Sequence, residues 1–196
     1  LQIRDGLHIF GESPDDTQLT DLLVALTRLP RGEDTPANAS LLRALSGDLQ
    51  LNESFDPLDC IMGETWRGPR PDLLAQQSEE AWRTVGDTVE RLELYAASLV
   101  AGTAGAPPAW SATQAVLDEI EGRIRPSVTC SGDAEINGLL TALDGRFVEP
   151  GSSGAPTRGR PDVLPTGRNF YSVDSRVVPT PAAWQLGWKS AGLLID

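Results

Sequence analysis

The sequence predicts a mainly α protein with a few short strands (an α+β class), built as a helical domain with one long, ordered Pro/Gly-rich loop. Three observations predict it. Leucines and other apolar residues recur at threes and fours in several segments between residues 15 and 143, the spacing that gathers them on one helix face. Only Leu7-His8-Ile9-Phe10-Gly11 reads as a strand, ending at a glycine turn. From 149 to 180 neither period persists, and prolines stand at 150, 156, 161, 165 and 179.

The elements follow in order. Asp15 or Asp16 caps a helix carrying Leu19, Leu22, Leu23, Leu26 and Leu29, which Pro30-Arg31-Gly32 stops. A shorter helix runs through Leu41, Leu42, Leu45 and Leu49, and 63–71 is irregular. The longest periodic stretch is expected to start near Ser78, with Glu79 and Glu80 in a first turn that favours acids. Its stripe is Trp82, Val85, Val89, Leu92, Ala96 and Leu99, broken by Gly102 to Pro108. Ser111 with Gln114 has the capping-box pattern, opening a helix through Leu117, Ile120 and Ile124 that should end before Pro126. A further helix spans about 133–143 with Ile136, Leu139, Leu140 and Leu143 apolar and Gly145 just past its end. Thr180-Pro181 starts a last helix with Trp184, Trp188 and Ala191 on one face. The five tryptophans read as core and interface anchors.

At 196 residues the chain is expected to be a single domain or a fragment of a much larger multi-domain protein, because it opens and closes abruptly. No run of about 18 apolar residues exists, so no membrane span is expected. Cys60 and Cys130 stand far apart outside any CxxC context and read as two buried, reduced thiols of a cytoplasmic protein. The net charge of −12 argues against nucleic acid as a partner. The charge is uneven: 145–196 is about +2, whereas 1–144 is about −14. Such a cationic stretch suits either an anionic small ligand or docking on the acidic part of the same chain.

Structureless connections beyond about 12–15 residues are uncommon in compact domains and are usually functional or disordered. The 149–180 stretch carries Val163, Leu164, Phe170, Tyr171 and Val173 among Arg158, Arg160, Arg168 and Asn169, too apolar for a disordered linker. Phe170 and Tyr171 suit a flat ring, and the arginines suit carboxylates. An ordered connector pinned by its aromatics explains the same residues. His8, the one histidine, is either a packed strand residue or a metal-ligating or proton-carrying group. No GxxxxGK[ST] occurs, since Gly187-Trp188-Lys189-Ser190 lacks the glycine before lysine, and ATP hydrolysis by this chain is not expected. HExxH and GxSxG are absent too. Gly151-Ser152-Ser153-Gly154 is a weak phosphate-cradle signal, since no helix is predicted to follow it.

Two segments resemble a known family. Leu1-Gln-Ile-Arg-Asp-Gly-Leu-His-Ile-Phe-Gly11 is similar to a segment of the large subunits of cobaltochelatase and magnesium chelatase. Gly145-Arg-Phe-Val-Glu-Pro-Gly151, then Arg160-Pro-Asp-Val-Leu-Pro-Thr-Gly-Arg-Asn-Phe-Tyr-Ser-Val-Asp174 and Val178-Pro-Thr-Pro-Ala-Ala-Trp184, look like that family's long signature. The resemblance implies a multi-domain subunit that binds a tetrapyrrole, with an AAA+ ATPase subunit and a companion subunit as partners. ATP and Mg would be used by those partners, and cobalt(II) would be the substrate metal. It also implies His8 as a metal or proton-handling group, Glu149 and Asp174 as acids near the site, and Arg158, Arg168, Asn169, Phe170 and Tyr171 as substrate-binding positions.

The metal is the harder choice. Insertion must desolvate a divalent ion and remove two pyrrolic protons, which any His/carboxylate set assists. A corrin precursor such as hydrogenobyrinic acid a,c-diamide bears more carboxylates than protoporphyrin IX, so the basic C-terminal quarter leans towards cobalt. Magnesium insertion stays open. So do a structural or docking module with helices 78–100 and 111–125 as partner surfaces, and a non-catalytic tetrapyrrole carrier or sensor.

Overall fold

The computed structural model describes residues 9–171 and 179–195. The first of its helices, α1 (Asp16–Arg28), begins where Asp15 accepts a hydrogen bond from the Gln18 amide while the Gln18 side chain accepts one from the Asp15 amide. Leu19, Leu23 and Leu26 turn inward from it. Helix α2 (Leu41–Asp48) is capped by Ser40 and buries Leu41, Leu42 and Leu45. The short α3 (Asp72–Ala75) contributes the buried Leu74.

The central helix, α4 (Val85–Val100), starts seven residues later than its periodicity predicts. Thr84 and Asp87 form the capping box there, and the Asp87 carboxylate also accepts from the Arg83 amide at 2.6 Å. Upstream, the backbone is held extended: Trp66 donates to the Arg83 carbonyl and Val85 to that of Glu64, around an antiparallel bridge between Thr65 and Thr84. A helix through 78–84 would forfeit those bonds. Glu79 and Glu80 therefore lie outside the first turn, and the Glu80 carbonyl accepts from the buried guanidinium of Arg91. That guanidinium also lies 5.1 Å from the Trp82 ring centroid.

Helix α5 (Ser111–Glu119) departs from its predicted cap as well. Trp110 is the N-cap residue and gives no side-chain cap. The Thr113 amide is satisfied instead by Asp48, at the end of α2, at 2.8 Å. Nor does the chain stop before Pro126. It passes through one π-helical turn (Ile120–Ile124) into α6 (Arg125–Thr129), with Pro126 at the second position of α6.

Helices α1, α2, α4 and α5 pack together over one core of Leu23, Leu26, Leu42, Leu45, Leu92 and Ile120 with their neighbours. Helix α7 (Ser131–Leu143) leaves this body. Among the residues after it, β1 (Pro150–Ser152) and β2 (Asn169–Tyr171) form a parallel pair in the register Pro150 to Asn169, Gly151 to Phe170 and Ser152 to Tyr171. Two 3-10 turns lie between the strands, at Pro156–Arg158 and Pro161–Val163. Helix α8 (Pro181–Ile195) is capped by the Thr180 hydroxyl, as its Thr-Pro start predicts, and Trp184 and Trp188 are exposed.

The molecule is mainly helical, as the spacing predicts. Of the strand expected at 7–11, Phe10 and Gly11 form a turn, and positions 1–8 lie outside the described residues. The two cysteines are free, but Cys60 packs against the edge of the leucine core and is only partly buried, and Cys130 is exposed. No described helix is long and apolar enough to cross a membrane.

Candidate functional site

The site is organised by helix α7, and not by its leucines. Ile136, Leu139, Leu140 and Leu143 are exposed; the buried residues are Ser131, Gly132 and Glu135. Gly132, Glu135 and Gly138 recur every three residues and so share one face. Two backbone segments lie against that face. Residues 11–13 cross at Gly132, where a Cβ would meet the Gly11 carbonyl oxygen at 2.9 Å. Gly167 crosses at Ala134 and Gly138: a Cβ on Gly138 would overlap the Gly167 carbonyl, and one on Gly167 would overlap Ala134. Gly167 also has φ of 88°, which any other residue tolerates poorly.

Between the two crossings sits Glu135, 4% exposed. Its Oε2 accepts from the Gly11 amide at 2.7 Å and its Oε1 from the Thr166 hydroxyl at 2.5 Å. The Thr166 amide in turn donates to the Ser131 hydroxyl at 3.2 Å, and the Ser13 hydroxyl donates to the Thr129 carbonyl at 2.6 Å. The N-terminal segment and the long loop are thereby tied to one helix face by a single buried carboxylate.

Beyond Thr166 the loop bounds a cavity of about 330 Å³ lined by Ser152, Ser153, Gly154, Thr166, Gly167 and Arg168, with Pro156 and Val163 as its apolar wall. Arg168 lies over Gly151, where a Cβ would strike its side chain, and its Nη2 donates to the Leu164 carbonyl at 3.4 Å. Beside the cavity, the Arg160 guanidinium makes two 2.8 Å bonds to the Asp162 carboxylate. The Arg160 guanidinium, helped by the Ser152 hydroxyl, holds the Asp162 carboxyl below the usual carboxylate range. Hydroxyl groups, backbone and one exposed guanidinium suit a carboxylate or another small oxyanion.

The residues singled out in the sequence are only partly gathered here. Arg168 lines the cavity. Asn169 pairs its amide with the Glu149 carbonyl at 2.9 Å, while the Glu149 side chain is exposed. Arg158 is exposed on the first 3-10 turn, which packs near the end of α1, and among the described residues no salt bridge forms at Arg158 or Arg168. Phe170 and Tyr171 are in β2, with their rings outside what is described; His8 and Asp174 lie outside the described residues altogether. Among the described residues no three His, Cys, Asp or Glu side chains cluster as a metal site.

The pattern of the CobN/Magnesium Chelatase family matches residues 1–196. The chain belongs to that family. It is 58% identical, over its whole length, to an aerobic cobaltochelatase subunit CobN from Sinorhizobium sp, and 54% identical to the subunit of that name from Pseudomonas aeruginosa. It spans 16% of the length of each. Identity to the magnesium-chelatase subunit ChlH of Oryza sativa subsp. japonica is 29%, covering 97% of this chain and 14% of that one. The catalytic subunit of cobaltochelatase from Mycobacterium tuberculosis superimposes with a TM-score of 0.61 at 30% identity, over 97% of this chain and 14% of that one.

In this CobN/magnesium chelatase chain the signature stretch is thus folded down on α7 at Gly138 and Glu135. Sequence reasoning passed over both. The available signal was Gly132-Asp-Ala-Glu-Ile-Asn-Gly138, a glycine–glutamate–glycine face at helical spacing. A glycine costs about 1 kcal/mol inside a helix, so two on one face mark a close approach.

Proposed function

We propose that this chain is part of the tetrapyrrole-binding large subunit of an ATP-dependent cobaltochelatase, which inserts cobalt(II) into a corrin precursor, hydrogenobyrinic acid a,c-diamide, in the cytoplasm. The observation that carries the reading is the identity of 58% to a cobaltochelatase subunit against 29% to a magnesium-chelatase subunit. An AAA+ ATPase subunit and its companion supply the ATP-driven work, with ATP and Mg bound there. The corrin's peripheral carboxylates meet Arg168 and the hydroxyl-lined cavity, with Arg158, Asn169, Phe170 and Tyr171 as further binding positions. His8, Glu149 and Asp174 take up the two pyrrolic protons or pass the metal. Single-domain reading of residues 1–196, with 149–180 as its signature loop, belongs to this proposal.

Titrating the intact parent subunit with a metal-free corrin precursor and with protoporphyrin IX, by absorbance and tryptophan quenching, tests it. The corrin is expected to bind more tightly, and Arg168→Ala to weaken it about tenfold or more, the loss of one hydrogen bond to a charged group. Preference for the porphyrin moves the subunit to magnesium, and binding of neither ring ends the substrate-binding reading. A second reading, a structural or docking module, is favoured by the uncovered apolar faces of α7 and α8. It predicts unchanged insertion but defective assembly when those faces are made polar.

A further inference from the structure

Helix α7 places a carboxylate where two chain segments 155 residues apart cross the same helix face, Gly11 on one side and Thr166 on the other. Its two carboxylate oxygens take up an amide N–H on one side and a hydroxyl on the other. The glycines flanking it at 132 and 138 let both backbones come close enough for one short side chain to reach them. The loop then continues from Thr166 through Gly167 directly into Arg168, and the Asn169 amide closes on the Glu149 carbonyl. The position of Arg168 over the cavity is therefore set two residues away, by the bond Thr166 makes.

We propose that Glu135 is a positioning residue: its carboxylate clamps the long loop to the N-terminal segment, and so fixes the presentation of Arg168 and the cavity. The consequence for turnover rests on the reading above that this loop meets the substrate; the clamp itself does not. Glutamine at 135 tests charge against shape, because its amide oxygen still accepts from Gly11 and its NH2 group donates to the Thr166 hydroxyl. Valine at 166 keeps the shape of threonine and removes only the hydroxyl.

The experiment is hydrogen exchange at the Thr166 and Asn169 amides of the full-length subunit, in parallel with corrin-dependent insertion kinetics in the assembled enzyme. Thr166→Val is expected to speed exchange at both amides about tenfold, with Thr166→Ser restoring protection and Glu135→Gln intermediate. The same Thr166→Val change should raise KM for the corrin precursor more than it lowers kcat, which a general loss of folded protein would not do. Unchanged exchange at Thr166 and Asn169 in Thr166→Val overturns the clamp. Faster exchange with unchanged KM upholds the clamp and removes the loop from substrate binding, so the two ideas fail separately.

Discussion

Asp162 shows how one carboxylate is held next to the cavity-lining Ser152. Two bonds from Arg160, whose side chain is 11% exposed, and one from Ser152 favour its ionised form. Its folded pKa is depressed, so its contribution is present above the unfolded value near 3.8 and is lost as pH falls through the folded value. A carbon-detected titration of the Asp162 carboxyl is expected to show a midpoint below 3.8, and Arg160→Gln to move it upward. Other charged residues are less legible. Arg31 and Arg91 are both buried, although arginine is rarely so and nothing in their spacing marks them. Burial pushes Arg31 down to about 10; its Nη2 donates to the Ala37 carbonyl, while Nε and Nη1 find no acceptor among the described residues.

Among elements, the helix ends separate local from tertiary control. The box at Asp15 and Gln18 is written in neighbouring residues and forms as written. The start of α4 is not, because the apolar stripe continues through Trp82 while the backbone of 83–85 is already committed to Glu64 and Trp66. Thr84 is the residue that makes the change of direction, so Thr84→Ala should destabilise the chain by about 1 kcal/mol in a urea titration. Helix α5 shows the converse: Ser111 and Gln114 have the right spacing, yet Asp48 of another helix caps the Thr113 amide and Gln114 turns to Asp118. Pro126 is tolerated inside a longer helical run because a π turn precedes it, an option that a proline rule omits.

Across the whole molecule, the core lies in the acidic N-terminal part and the cavity in the basic C-terminal part. Lys189 of α8 pairs with Asp59, so some of that basic charge docks on the chain's own acids, while Arg168 stands at the cavity. The leucines divide sharply. Leu92 of α4, a helix that packs on α1, α2 and α3, is fully buried, whereas Leu143 is 76% exposed. Leu92→Ala should cost about 2–5 kcal/mol in urea unfolding, and Leu143→Ala within about 0.5 kcal/mol of nothing. Equal costs would contradict the placement of α7 outside the core.

The helical class, most helix positions, the turn at Gly11, the Thr-Pro start of α8 and the family were legible in the residues, because periodicity, caps and signature runs are local. What only the tertiary structure decided is where each helix turned its face. A stripe of leucines states that a surface wants cover but not which cover it receives, and α7 presents Gly132, Glu135 and Gly138 inward instead. The joining of Gly11 to Thr166 through Glu135 depends on contacts 124 and 31 residues apart in sequence. No local pattern encodes such a distance, since the energy that fixes it exists only once both segments have arrived.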